Sequence, residues 1–462
     1  MKCGIPCNDI HSRLNPVTVA DIARPTDTEE VAGLLRGSPL PVSICGARHA
    51  MGGQQFGEGT LLLDASGLKS VGPLDARAGL VEAGAGITWP DLIDALQHLQ
   101  PGRPDRWTIR QKQTGADRLT LGGALAANIH GRGLTTAPLI GDVEAFTLVD
   151  AAGRILRCSR TENARLFRHA IGGYGCFGVI TSVQLRLTRR RTLRRLVEIT
   201  TVDRLNAALD ERVAAGCLYG DFQFAIDARS PDFLHRGVLS TYRPVPDDTP
   251  PTPTPSLRAE DWKRLIHLAH TDPTRGFEEY AAHYLRTHGS LHGSDTHQLG
   301  IYLDDYHREL DACTGMPPGT EMITELYVPR DLLPDFMSRA ADLLRPSGVP
   351  VIYGTVRRIQ QDHESALPWA RGDFACIIFN LHTEHSLLGM ATSARAFRGL
   401  IDLALALGGS YYLTYHRWAR RDQVERGHPT IEDFIREKWK HDPTDRFQSD
   451  WWRHHRDLLR SQ

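Results

Sequence analysis

Residues 43–56 read SICGARHAMGGQQF and place His49 among small residues and glycines, directly after an apolar run with the character of a strand. A backbone this bare offers N–H groups to an anion and lets a ring approach a ligand closely. Two further segments share that character, TGADRLTLGGALAANIHGRG (114–133) and GGYGCFG (172–178). Three such segments within 180 residues suit a large diphosphate-bearing cofactor lying along a groove. GYGCFG (173–178) also fits G-x-G-x-x-G, but that fingerprint needs a strand before it and a helix after it, and here a helical pattern precedes and VITSVQLRL follows. GAGITW (84–89) fails because Trp89 replaces the third glycine.

Other groups with chemical potential lie further on. Glu325 falls inside the apolar run MITELYVPRD, where an ionised carboxylate needs a partner, and YGTVRRI offers Arg357 or Arg358. Such a pair serves either substrate hydroxyls or the fold alone. The segment YYLTYHRW (411–418) holds Tyr412, Tyr415 and His416. Read as a strand, it would turn Tyr412 and His416 to one face and Tyr415 to the other. Cys376 has no adjacent base and reads as a small wall residue. His382, in NLHTEH, could face substrate or solvent; no stretch matches H-E-x-x-H, and no metal is expected.

The elements that must position these groups are legible in outline. LPVSICG, TLLLDASG and GLVEAGAG read as strands ending at glycines, and PTDTEEVAGLL and WPDLIDALQHL as helices. VEAFTLVDAAGRILRCS reads as a hairpin turning at 151–153, and Ser159 with Glu162 has capping-box spacing before a helix. RRRTLRR (189–195) marks a solvated domain junction, and RPVPDDTPPTPTP (243–255) a stiff loop. EMITELYVP, VPVIYGTVRRI and DFACIIFNLHT, separated by single helices, suggest an antiparallel sheet covered on one face. The fold class is α+β.

With 462 residues and 41% hydrophobic content, the chain can bury a large core in more than one domain. A net charge of −1 gives no global field toward nucleic acid, and no run is long and apolar enough for a membrane span or signal peptide, so a cytoplasmic protein is expected. The eight cysteines, sparsely spaced, are expected to be free thiols.

Taken together, PVSICGARHAMGGQQF…GTLLLDASGL, VEAGAGITWPDLIDAL, LTLGGALAANIHGRG, VEAFTLVDAAGRIL and LFRHAIGGYGCFGVITSVQLRL resemble the FAD-binding domain of the vanillyl-alcohol-oxidase, or PCMH-type, flavoproteins. The resemblance implies FAD as cofactor and three parts: an FAD-binding domain at 1–190, a substrate domain at 191–407, and a segment at 408–462 returning to the first. GARHAMGGQQF is similar to the pyrophosphate loop of alditol and gulonolactone oxidases and cytokinin dehydrogenases, in which a histidine is joined to the flavin. His49 takes that place, since a neutral imidazole nitrogen can attack an electrophilic carbon; the alternative is a hydrogen bond to phosphate or backbone. Ala50 departs from the serine often found there, and ADRLTLGG lacks the cysteine of a second link.

The resemblance also implies FAD contacts from Cys45, Gly46, Ala47, Arg48, Ala50, Met51, Gly52, Gly115, Thr120, Gly122, Gly123, His130, Gly131, Val179, Ile180 and Tyr412. ACIIFNL resembles the strand that carries the active-site cysteine of decaprenylphosphoryl-ribose oxidase, which places Cys376 beside the flavin. In GGSYYLTYHRW, Tyr415 replaces that enzyme's lysine. The implied activity is oxidation of a polyol, sugar, lactone or related alcohol. Tyr415 or His416 would accept the proton, Glu325 and Arg357 would contact substrate, and O2 or another acceptor would reoxidise the flavin. An oxygen-excluding dehydrogenase, with Ile129 close to the flavin, and a flavin-binding partner protein without turnover are the alternatives.

Overall fold

A computed structural model describes residues 4–103, 105–246, 249, 255–300, 303 and 306–460. Most of the proline-rich loop expected at 243–255, and Cys3, lie outside these described residues. The seven described cysteines are all free thiols, and only Cys313 is exposed.

The first layer is a parallel sheet of β1 (Asp21–Ala23), β2 (Val42–Cys45) and β3 (Leu61–Asp64), with β3 in the centre. Every residue of β3 is buried, which explains its continuous apolar run. Helix α1 (Thr28–Gly37) starts at Asp27, whose carboxylate accepts the Glu30 N–H, and it buries Val31, Ala32 and Leu35 with Leu61 and Leu63. The second layer is an antiparallel sheet of β4 (Leu80–Gly84), β5 (Val143–Val149), β6 (Ile155–Ser159) and β7 (Val179–Arg186), ordered β4-β7-β5-β6. Helices α2 (Trp89–His98), α3 (Leu121–Ala127) and α4 (Ala164–Ala170) accompany it. The expected capping box does not form. Ser159 accepts the Glu162 N–H in a turn ahead of the helix, and Asn163, in the left-handed region, precedes α4 instead.

The largest layer is an eight-stranded antiparallel sheet. Its strands are β8 (Thr192–Thr201), β9 (Tyr219–Phe224), β10 (Arg236–Pro244), β11 (Leu291–Gly293), β12 (Gly319–Pro329), β13 (Val351–Ile359), β14 (Phe374–Glu384) and β15 (Ser410–Tyr411), ordered β11-β8-β10-β9-β13-β14-β12-β15. Within the basic run at 189–195, Arg189 and Arg191 stay exposed, and the run enters this layer from Thr192. Arg190 pairs with Asp295 at 2.8 Å, and Arg195 Nε donates to the Tyr242 hydroxyl at 2.9 Å.

Helices reach both faces of the sheet, where the sequence suggested one. Adjacent residues of a strand point to opposite faces. In β10, Leu239 joins the cluster of Leu205 and Leu209 on α5 (Val202–Ala214), whereas Val238 packs with Ala281 on α7 (Pro273–Arg286). Helices α9 (Leu333–Leu344) and α10 (Leu387–Ala406) extend the α5 layer, while α6 (Ala259–Thr271) lies beside α7 and α8 (Tyr306–Thr314) beside α6.

The last helices, α11 (Arg421–Gly427), α12 (Ile431–His441) and α13 (Asp450–Arg460), lead back to the first layer. Val42 N–H donates to the Arg446 carbonyl at 2.7 Å, Gln448 N–H to Val42 at 2.8 Å, and Phe447 enters the cluster of Val31 and Leu63. The turn between is held by Lys438, wholly buried against the equally buried Asp442.

Candidate active site and cofactor cradle

A cavity of ≈ 750 Å³ lies between the three glycine segments and one face of the large sheet. One wall is the loop after β2, where close approach is a steric requirement. A Cβ on Gly46 would stand 2.2 Å from Thr120 Oγ1, the atom that caps α3, and one on Gly122 would stand 2.9 Å from the Ala85 side chain. Arg48 (φ 62°) and Tyr174 (φ 50°), both lining the cavity, hold the left-handed conformation that side chains rarely adopt. A long groove lined by bare backbone at several points fits an extended diphosphate-bearing ligand.

His49 lines this cavity and is 6% exposed. Its Nδ1 lies 2.7 Å from Nε2 of His11. Burial, reinforced by His11 and Arg118, pushes the imidazole down to about 3, so His49 is neutral at physiological pH.

The opposite wall follows from strand alternation. Ile323 and Glu325 of β12, Tyr353, Thr355 and Arg357 of β13, and Ile378 and Asn380 of β14 are spaced by two and share the cavity face. Glu325, 1% exposed, is the hub. Its Oε1 lies 2.6 Å from His130 Nε2 and accepts from the Tyr327 hydroxyl at 2.5 Å and the Cys376 thiol at 3.3 Å, while Oε2 accepts from the Tyr415 hydroxyl at 3.1 Å. Burial opposes the charge of Glu325, yet His130, the Tyr327 hydroxyl and Arg357 hold its carboxyl below the usual carboxylate range. The same burial, with Glu325 alongside, pushes Tyr327, Tyr415 and Cys376 well above their ordinary values. The cluster therefore holds one carboxylate surrounded by protonated donors. That arrangement can accept a proton from a donor placed in the cavity.

Residues 19–159 match the family described as "FAD binding domain". Residues 19–159 thus carry an FAD-binding domain of the PCMH type. Its cofactor is FAD. It is similar to cytokinin dehydrogenase 10 of Oryza sativa subsp. japonica, with 32% identity over 180 residues, 36% of this chain and 31% of the relative. An uncharacterized oxidoreductase, ORF5 in the fasciation locus of Rhodococcoides fascians, is 30% identical over 185 residues, 39% of each chain. Cytokinin dehydrogenase 2 of Oryza sativa subsp. japonica is 28% identical over 248 residues, 49% of this chain and 42% of the relative. The matched region spans less than half the length of each of these relatives.

The residues expected around FAD do not all reach the cavity. Residues 45–51, Gly115, Thr120, Gly122, Gly123, His130, Ile180 and Tyr412 line it. Three others stand behind it. Gly52 packs against the Thr414 carbonyl, Gly131 against the Lys112 carbonyl, and Val179 points into the α1 cluster because its neighbour Ile180 takes the cavity face. Tyr412 and Tyr415 both line the cavity, which a straight strand forbids. β15 ends at Tyr411, the chain turns, and the two rings meet edge-on at 5.6 Å.

His416 is not brought to the FAD site. It is buried among Phe397, Tyr411 and Trp418 beside Thr324, and burial pushes its imidazole down to about 3. Arg357 lines the cavity and donates to Thr114, whereas Arg358 turns to the opposite face and pairs with Asp210 at 2.6 Å. Glu325 and Arg357 do not face each other across neighbouring strands as expected. β14 lies between them, and no direct ion pair joins them among the described residues. Sequence reasoning missed His11, which only long-range folding brings to His49. It also missed Tyr327, which period-two spacing from Glu325 would have identified.

Proposed function

We propose that this protein is an FAD-dependent oxidoreductase acting on the CH–OH group of a polyol, sugar, lactone or related small alcohol. Residues 1–190 and 408–462 would hold FAD and 191–407 would cover the substrate. The observation that carries the reading is the buried Glu325 carboxylate accepting from the Tyr415 hydroxyl at 3.1 Å in the wall of the cavity that the FAD loops complete, with its carboxyl held below the usual range. When bound, FAD supplies the acceptor for the hydride.

Glu325 receives the hydroxyl proton, directly or through Tyr415, and His130 and Tyr327 keep the carboxylate fixed and charged beforehand. This gives the proton-accepting role to Glu325, with Tyr415 as relay and His416 outside the site. Arg357, Tyr353, Thr355 and Asn380 present a hydrogen-bonding wall suited to a donor with several oxygens. His49, buried and neutral, is the attachment point for the flavin, and its contact with His11 fixes the ring. O2 would be the final electron acceptor in this reading, and Ile129, which lines the cavity, is the side chain whose bulk would decide its access.

A second donor class is favoured by the names of the relatives, which are dehydrogenases of cytokinins. Anaerobic mixing of the flavin-loaded protein with a panel of alditols, aldoses, lactones and cytokinins tests both. Bleaching of the flavin by alcohols supports the proposal, and bleaching by cytokinins alone replaces it with the second reading. No bleaching by any donor points to a flavin-binding protein without turnover. Admission of air then separates an oxidase from a dehydrogenase.

A further inference from the structure

The cavity face of the large sheet continues beyond the FAD site. Along β12 it carries Tyr327, Glu325, Ile323 and Glu321, and along β14 their partners Cys376, Ile378, Asn380 and His382, each pair directly opposite. Glu321 and His382 are thus cross-strand neighbours, roughly 13 Å along the sheet from the Glu325 pair at about 3.3 Å per residue. Above them the last turn of α6 brings His270 and the first turn of α8 brings His307.

Three donors converge here. His270 Nε2 lies 3.1 Å and His382 Nδ1 3.4 Å from the same oxygen, Glu321 Oε1. The ligand atoms of His270, Glu321 and His382 all lie within 4.8 Å of one another. A tetrahedral ion with bonds near 2.0–2.1 Å sets its donors about 3.3 Å apart. The His270 side chain is 2% exposed, and its Nε2, for all its closeness to Oε1, makes no aligned hydrogen bond. The other oxygen of Glu321 is held from behind by the Tyr306 hydroxyl and by His307 Nε2, as supporting partners orient a ligating carboxylate. Gly319 leaves room for the His382 ring, since a Cβ there would stand 2.5 Å from Nε2. The cluster of His130, Glu325 and Cys376 differs in its donor set, with one imidazole where the Glu321 cluster brings two to the same carboxylate oxygen.

We propose that His270, Glu321 and His382 bind a divalent transition-metal ion of the Zn2+ class, with His307 and Tyr306 positioning the carboxylate. Two imidazoles and one carboxylate leave a coordination position for water or another oxygen ligand. Glu321 and His307 line a second cavity of ≈ 330 Å³, whose walls share Met51, Ile323, Tyr353 and Asn380 with the FAD cavity. The ion therefore stands at the far end of the space open to substrate.

The test uses the flavin-loaded protein, stripped with EDTA and titrated with Zn2+ and separately with Co2+. One ion binds per chain, and Glu321→Gln and His382→Gln each weaken binding at least 100-fold while flavin content per chain is unchanged. His307→Ala keeps the ion with affinity lowered roughly 10- to 100-fold. Failure of the wild-type protein to take up a stoichiometric ion, or undiminished uptake by Glu321→Gln, overturns the proposal. Should those variants fail to fold, wild-type crystals soaked in Zn2+ decide it. Anomalous scattering between His270, Glu321 and His382 supports the site, and its absence there refutes it.

Discussion

Glu325→Gln isolates the charge at the centre of the FAD site. Glutamine preserves the shape of the side chain but cannot accept a proton at neutral pH. Of the two oxygens, Oε1 meets His130, Tyr327 and Cys376 and Oε2 meets Tyr415, so the amide group can replace Oε2 and reverse one hydrogen bond. Losing or reversing one buried bond costs about 1 kcal/mol, and FAD binding should survive. Loss of a positioned general base lowers the chemical step roughly 100- to 10,000-fold, which is about 2.7–5.4 kcal/mol of barrier. The assay is anaerobic stopped-flow, with flavin bleaching measured against substrate concentration in wild type and variant of equal flavin content. Because the folded carboxyl is held below its ordinary value of 4.5, the wild-type rate should be flat from neutrality through the usual carboxylate range and fall only below it. A loss of less than tenfold in Glu325→Gln, or a wild-type rate already halved above pH 4.5, would refute the assignment of Glu325 as base.

Other perturbations address separate parts of the argument. His49→Ala should abolish flavin fluorescence in the denatured gel band while the folded variant still binds FAD reversibly, and fluorescence persisting in the variant would remove His49 as the attachment point. Arg357→Met should raise KM for polyhydroxylated donors by tenfold or more with a smaller change in kcat, as expected for a side chain that lines the cavity without reaching the carboxylate; steady-state kinetics across the donor panel reads the split. Asp442→Asn removes the charge closest to the wholly buried Lys438, leaving Asp445 at 3.4 Å and the Trp452 ring at 5.3 Å. It should cost about 3 kcal/mol of stability, seen as a fall in Tm. His416, His428 and His455 are each pushed down by burial from 6.5 to about 3. The unfolded chain therefore takes up protons that the folded chain refuses, and stability falls as pH drops below 6.5. The loss is on the order of 2 kcal/mol per histidine at pH 5, measurable by denaturant titration.

The cofactor half of the molecule was legible in the sequence because local rules govern it. Glycine segments that must approach a ligand, strands that end at them, and apolar periodicities of two and 3.6 are written in consecutive residues, and β2, β3, β4, α1 and α2 lie where those patterns place them. Alternation by itself also separates Arg357 from Arg358, once the buried face of β13 is known. Tertiary structure decided the rest, since it depended on pairs far apart in the chain. A turn after Tyr411 brings both Tyr412 and Tyr415 to the cavity and leaves His416 in an apolar pack, and the register of β12 on β14 sets Glu325 beside Cys376 and Glu321 opposite His382. The meetings of His11 with His49, and of His270 and His307 with Glu321, arise from packing between separate elements. A buried charge is stabilised by whichever groups the fold delivers around it, and no short-range pattern in one chain specifies that company.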